Sequence, residues 1–224
     1  LHAQTGVAVI GLNQKATENL QLRPLWQFAH AAAGAQLNPE AVWQLPASEF
    51  KTEDSSVNMS LGAKHAYVAR FQVQQALSDF SSYITVPSPH LDKVELWYRP
   101  SGSAQWRAFQ AGDRILQDEW PFVGPYPAFE LPSQTAKIDV VMRFQNASDM
   151  NLRVYAQSNK SFHSERNFYS NGTGAVLGLI ASIILICFIT LRLRRPDFLF
   201  LALAGMASFF FYIARSGVGF ITVW

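Results

Sequence analysis

The chain has 224 residues, a net charge of +2 at pH 7 and one cysteine. Residues 1–171 carry 14 Lys and Arg against 15 Asp and Glu, so the positive excess lies in residues 172–224, which hold four Arg and one Asp. This balance gives no support for nucleic-acid binding, which needs a clustered basic surface, and we predict no nucleic-acid partner. The position of the cysteine, Cys187, excludes a disulfide framework in the first 171 residues, which must be held together by a hydrophobic core.

Alternation of apolar and polar residues predicts β-strands through most of the first 157 residues. In chain order the predicted strands lie near 7–12, 20–28, 66–74, 80–86, 93–99, 106–109, 126–131, 137–144 and 152–157. One short helix is predicted at 39–45, because Asn38 can cap its N-terminus and Pro39 suits the first helical position. Eight or nine strands in this length predict a mainly β domain, an antiparallel β-sandwich of the jelly-roll type.

Two long apolar runs follow the predicted strands. Residues 174–191 are 18 residues without a charge, and as a helix they would cover roughly 27 Å, close to the ~30 Å hydrocarbon core of a bilayer. Residues 198–214 are also uncharged. We therefore predict a two-helix transmembrane hairpin, at about 172–191 and 198–221; the alternative is a pair of buried core helices. The predicted domains are an ectodomain, 1–166, and the first two helices of a larger membrane domain, 167–224.

A cluster of arginines separates the two apolar runs. Arg192, Arg194 and Arg195 precede Pro196 and Asp197. Short loops rich in Lys and Arg are retained in the cytoplasm. We therefore expect these arginines on the cytoplasmic side of the membrane and the β-rich domain on the other side.

The sequence offers little for covalent chemistry. The five histidines are scattered without metal-ligand spacing, and no phosphate loop or nucleophile motif is present. We predict no catalytic residue, no metal site and no cofactor. Acidic pairs such as Asp118 with Glu119, or Asp92 with Glu95, leave an exported glycosidase as an alternative, which requires two carboxylates roughly 5–10 Å apart in a cleft.

Binding is better supported, because several strands carry aromatic and arginine side chains on the face opposite their apolar one. The candidate ligand-binding residues are Arg70, Trp97, Arg99, Trp120, Arg143 and Tyr155. If these faces are neighbours in one sheet, they form an aromatic platform ringed by arginines, which suits a sugar, a carboxylate or a peptidoglycan-like fragment. The alternative is that the same side chains cover loops or contact the membrane-proximal segment.

The order of several segments resembles that of a known receptor family. HLDKVELWYRPSG (90–102) and AGDRILQDEWPFVGPYPAFELP (111–132) precede the apolar runs that begin near Gly174. This order resembles the bacterial seven-transmembrane receptors with diverse intracellular signalling modules, the 7TMR-DISM family. The resemblance implies a jelly-roll extracellular domain of the second type, likened to carbohydrate-binding modules, in the periplasm. It also implies a multi-pass inner-membrane protein with a cytoplasmic output, such as a diguanylate cyclase (GGDEF), a histidine kinase or a phosphatase, which these residues do not contain.

We therefore expect a non-enzymatic periplasmic sensor that segment 161–171 joins rigidly to the first span. Its expected partners are a small polar ligand, with a carbohydrate as first candidate, the lipid bilayer, and a second copy of the chain in a homodimer; nucleic acid is excluded. The alternative is a membrane-anchored adhesion or protein-interaction β-sandwich that sends no signal.

Overall fold

The computed structural model describes residues 7–12, 20–22, 27–32, 36–50, 65–75, 81–133, 135–147, 152–192 and 198–216. The chain divides into two compact units, Leu1–Ser161 and Phe162–Trp224. The described strands of the first unit are β1 (Val9–Leu12), β2 (Leu20–Gln21), β3 (Gln27–Ala32), β4 (His65–Gln75), β5 (Ser82–Thr85), β6 (Lys93–Pro100), β7 (Arg107–Ala111), β8 (Ala128–Leu131), β9 (Lys137–Gln145) and β10 (Tyr155–Ser158). The predicted strand at 20–28 corresponds to two strands, β2 and β3.

The strands form two sheets. The larger has the order β1-β4-β9-β6-β7, with β3 also paired to β4, and the smaller has the order β2-β10-β5-β8. β1 runs parallel to β4, with Val9 opposite Gln72. The prediction of a wholly antiparallel sandwich was therefore wrong at β1, because a period-two pattern reports which face a residue occupies and not the direction of its strand.

The main hydrophobic core contains residues from both sheets. Phe71, Leu96 and Val140 come from the six-stranded sheet, and Ile84 and Phe129 come from the four-stranded sheet; all five are fully buried. The apolar faces predicted from the alternation for β4, β6 and β9 are the faces that enter this core. The first unit is therefore a mainly β fold of two sheets.

A second, smaller core lies on the outer face of the six-stranded sheet. Residues 36–50, here called the cover segment, contain helix α1 (Pro39–Gln44) and a 3₁₀ turn (Ala47–Glu49). The Asn38 side chain caps α1 by accepting hydrogen bonds from the first helical amides, at 3.0 and 3.4 Å, so the predicted short helix is confirmed. Val42 and Phe50 of the cover segment pack against Val68 and Val141 of the sheet.

Helix α2 (Asn159–Arg192) begins directly after β10. Residues 161–171, predicted as a linker, are therefore part of this helix, and the predicted domain boundary after residue 166 falls inside it. The segment contains no Gly or Pro, so nothing in it interrupts the helical hydrogen bonds. Residues Asn159–Ile189 form a helix long and apolar enough to cross a membrane.

Helix α3 (Phe198–Ser216) includes a shorter apolar stretch, Leu203–Tyr212. A Cβ atom placed on Gly205 would lie 3.4 Å from Cγ1 of Ile184, so the glycine allows α3 to pack closely on α2. Arg192 ends α2, and Arg194 and Arg195 lie outside the described residues, as does the predicted end of the second span, 217–221.

Candidate functional site

The structure brings four of the six predicted site residues onto one sheet face. Arg70 lies opposite Val141, which in turn lies opposite Trp97. On the same face, Arg99 lies opposite Asp139 and Arg143 lies opposite Glu95, so these two arginines stand on either side of the Trp97–Val141 pair. This outer face of the six-stranded sheet is also the one that the cover segment packs against.

The other two predicted residues lie elsewhere. Trp120 is 8 % exposed and packs into the main core, where its indole Nε1 donates a hydrogen bond to the carbonyl of Ile115 at 3.1 Å. Tyr155 lies on β10 of the four-stranded sheet, opposite Thr85. Neither residue therefore contributes to the face that holds Arg70 and Trp97.

Arg70 is fully buried beneath the cover segment. Its Nη1 donates to the carbonyls of Trp43 and Leu45, at 2.7 and 2.5 Å, and to that of Val42 at 3.4 Å. These carbonyls belong to the C-terminal end of α1, which needs donors and carries the negative end of the helix dipole. The guanidinium also lies 3.9 Å from the ring centroid of Phe50, and burial lowers the pKa of Arg70. Arg70 thus fastens the cover segment and presents no surface to a ligand.

Arg99 lies at the other end of α1, in a cluster that we call the Arg99 site (Arg99, Trp106 and Trp43). Its Nη1 forms an ion pair with Oε2 of Glu40, and Nε1 of Trp106 donates to the same oxygen at 3.0 Å. Cζ of Arg99 lies 4.4 Å from the ring centroid of Trp106 and 5.9 Å from that of Trp43. The hydrogen bond from Trp106 is the largest cause of a lowered pKa at the Glu40 carboxyl group, and burial opposes it.

Arg143 and Trp97 complete the outer face. Arg143 is buried and its Nη1 lies 3.3 Å from a carboxylate oxygen of Glu95, which also pairs with Lys93 at 2.9 Å. Trp97 is half-buried and packs against the smaller core. The three predicted arginines of this face therefore bind groups of the protein itself, and Arg70 does so beneath the cover segment.

A separate cleft lies where the two sheets end, beside the terminal strands β7 and β8. It has a volume of about 490 Å³, and we call it the edge cleft; its lining includes Tyr98, Arg107, Phe109, Phe122, Glu130 and Ser133. The rings of Tyr98 and Phe109 are stacked, with centroids 5.8 Å apart and planes at 14°. Among the described residues, the side chains of Arg107 and Glu130 have no hydrogen-bond or ion-pair partner, and both side chains are exposed.

The sequence prediction did not include any of these lining residues. Arg107, Phe109 and Glu130 lie on predicted strands, but alternation does not tell which strands stand at the ends of the sheets. Within the described parts of the chain, no group of three or more His, Cys, Asp or Glu is placed to hold a metal ion. Among the described residues that line the cleft, Glu130 carries the carboxylate.

Residues 27–158 match the family model described as 7TMR-DISM extracellular 2. The chain belongs to this family. The matched 7TMR-DISM region is more than half of the chain and contains both the Arg99 site and the edge cleft. The resemblance stated from the sequence is thereby confirmed. The 7TMR-DISM extracellular 2 domain is a sensor domain and not a catalytic one, and membership implies a membrane receptor that carries this domain outside the cytoplasm.

Several solved structures resemble this 7TMR-DISM chain at low identity. The carbohydrate-binding module TmCBM61, solved in complex with β-1,4-galactotriose, is 12% identical with a TM-score of 0.31, over 58% of this chain and 83% of that one. A Bacillus thuringiensis Cry1Da tryptic core variant is 9% identical with a TM-score of 0.24, over 48% and 22%. CapF, solved with 3-isopropenyl-tropolone, is 10% identical with a TM-score of 0.23, over 53% and 33%. No curated protein matches the chain.

Proposed function

We propose that this chain is the periplasmic ligand-sensing and transmembrane input portion of a bacterial signal-transduction receptor. Family membership supports the sensor role, and the unbroken helix from Asn159 supports a connection from the sensor domain into the membrane. In this proposal the two sheets form a jelly roll, α2 and α3 are the first transmembrane hairpin, and Arg192, Arg194 and Arg195 face the cytoplasm. The output domain lies in a part of the receptor beyond these residues.

The ligand is a small polar molecule, with a carbohydrate as first candidate, and it occupies the edge cleft. The observation that carries this assignment is the combination of two charged side chains with a partly buried ring. Arg107 and Glu130 have no hydrogen-bond or ion-pair partner within the described part of the chain, and the ring of Phe109 stacks on the buried ring of Tyr98. Sugars bind through this pairing, because their apolar faces pack on aromatic rings while their hydroxyls bond to charged groups. The cleft volume of about 490 Å³ falls within the usual range of ligand pockets, about 300–1,000 Å³.

Signalling follows from differential binding. A ligand changes the output only if it binds one conformational state of the receptor more tightly than the other. β8 of the cleft pairs with β5, and β5 pairs with β10, after which α2 begins. A structural change at the cleft can therefore reach the start of α2 through two pairs of hydrogen-bonded strands and the chain connection after β10.

Calorimetric titration of the whole chain in lipid nanodiscs with neutral trisaccharides, β-1,4-galactotriose among them, tests the site. We expect at least one trisaccharide to bind, and Arg107→Ala to weaken its binding about tenfold, because it removes a charged hydrogen-bond donor worth roughly 1.5 kcal/mol. Arg153→Ala is the matched control, since Arg153 is an exposed arginine outside the cleft lining. The assignment fails if no trisaccharide binds, or if the two variants weaken binding equally.

A further inference from the structure

The Glu40 carboxylate lies where the six-stranded sheet presents a cation and a hydrogen-bond donor to an anion. Its Oε2 accepts from the Arg99 guanidinium and from the Trp106 indole, two donors that come from different strands or loops of the sheet. Its other oxygen, Oε1, accepts from the Gln44 side chain at 2.8 Å, within α1 itself. The sheet therefore supplies a cation and a neutral donor to one carboxylate oxygen, with the ring of Trp43 beside them.

The guanidinium is held in place independently of Glu40. Nε of Arg99 donates to Oδ2 of Asp139 at 3.1 Å. Oδ1 of Asp139 in turn accepts from the side chains of Gln72, at 3.0 Å, and Ser101, at 2.5 Å. Asp139 is 3% exposed and bonded to these three side chains, so it orients the Arg99 guanidinium through hydrogen bonds in which Glu40 takes no part.

The carboxylate position is open to solvent on the side of Glu40. The Glu40 side chain is 38% exposed, whereas that of Arg99 is 10% exposed. Because the Glu40 side chain keeps this exposure, an anion from solution can approach the ion pair on this side and compete for the Arg99 guanidinium. The opposite end of the cover segment is held by buried contacts of Arg70 and Phe50, so displacement of Glu40 would move the N-terminal end of α1 while the C-terminal end stays attached.

We propose that the Arg99 site is a carboxylate-binding site which the chain fills with its own Glu40, and that a small carboxylate ligand displaces Glu40 together with the N-terminal end of the cover segment. The cover segment then acts as an internal competitor that sets the ligand concentration at which the site responds. The site is distinct from the edge cleft, and the inference does not require the cleft to be occupied.

The test compares carboxylate binding with and without the internal competitor. The whole chain in nanodiscs is titrated by calorimetry with D-galacturonate, with N-acetyl-alanine, and with D-galactose as the uncharged match of galacturonate. In Glu40→Ala we expect at least one of the two carboxylates to bind at least tenfold more tightly than in the wild type, while galactose shows no gain. A larger gain in affinity for galacturonate would indicate a sugar-acid ligand. A larger gain for N-acetyl-alanine would indicate a peptide C-terminus.

Three further variants separate the proposal from a general loosening of the cover segment. Glu40→Gln keeps the shape of the side chain, and we expect it to gain affinity in the same direction as Glu40→Ala. Glu49→Ala removes an exposed glutamate of the same segment and should leave binding at the wild-type level. Adding Trp106→Phe to Glu40→Ala keeps a ring but removes the indole donor, and the gained affinity should fall about fivefold.

The proposal is overturned if neither Glu40 variant gains carboxylate affinity, or if Glu49→Ala gains as much as Glu40→Ala. Titration with the neutral trisaccharides tests the edge cleft separately. We expect Glu40→Ala and the wild type to bind them equally, so failure of the Arg99 site can be told apart from failure of the edge cleft.

Discussion

At the scale of single residues, Arg70 and Arg99 look alike in the sequence and act differently in the structure. Both are arginines on the polar face of a strand. Arg70 is fully buried and bonded to the carbonyls at the end of α1, while Arg99 holds a partly exposed carboxylate at its start. Alternation predicts the face of a residue, but the partner that covers this face comes from a distant part of the chain.

The role of Arg70 leads to a stability prediction. We expect Arg70→Met to lower the free energy of unfolding of the sensor domain by about 3 kcal/mol, because it leaves the C-terminal carbonyls of α1 buried without a charged donor. Denaturant unfolding of the whole chain in detergent, followed by tryptophan fluorescence, measures this. Arg153→Met, at an exposed arginine, should change the midpoint little. A loss below about 1 kcal/mol for Arg70→Met would contradict its fastening role.

At the scale of elements, local signals account for α1 and for the strands. Asn38 and Pro39 are adjacent in the chain, and together they predict where α1 begins. The alternation of apolar and polar residues in β4, β6 and β9 predicts which face of each strand is buried. The continuation of α2 back to Asn159 was not predicted, because the search for a membrane span followed hydropathy, and the polar first turns of α2 do not stand out in hydropathy.

Two glycines beside the strands of the edge cleft give a matched pair of predictions. Gly112, after β7, has φ +134°, and a Cβ there would lie 2.5 Å from the backbone oxygen of Asp92. Gly102, in the turn before β7, has φ +87° and open space around its Cβ position. We expect Gly112→Ala to destabilise the domain by about 3 kcal/mol or more, and Gly102→Ala by only about 1 kcal/mol from backbone strain.

Thermal or denaturant unfolding of the two glycine variants checks this order. Gly112 directly follows β7, the strand that carries Arg107 and Phe109. Gly112→Ala should therefore also weaken trisaccharide binding at the edge cleft, whereas Gly102→Ala should not. Equal stability of the two variants would contradict the prediction, because it would show that the backbone near Asp92 can move to accept a Cβ atom at position 112.

At the scale of the whole molecule, the membrane orientation follows from the arginines after α2. We expect a reporter fused after residue 195, in a chain exported behind a secretory leader, to lie in the cytoplasm, because Lys- and Arg-rich short loops are retained there. Green fluorescent protein should fluoresce at this position, and alkaline phosphatase should be inactive. Replacing Arg192, Arg194 and Arg195 by Gln should weaken this bias. A fully active phosphatase fusion of the unmodified chain would contradict the proposed topology.

The sequence by itself determined the features that depend on near neighbours in the chain: the buried faces of the strands, the cap of α1, the apolar length of α2 and the segments by which the family is recognised. The tertiary structure alone decided which strands end the sheets, and therefore where the edge cleft lies, and it alone placed the cover segment over Arg70 and Arg99. The reason is separation along the chain. Glu40 and Arg99 are 59 residues apart, and no local pattern encodes a contact over that distance.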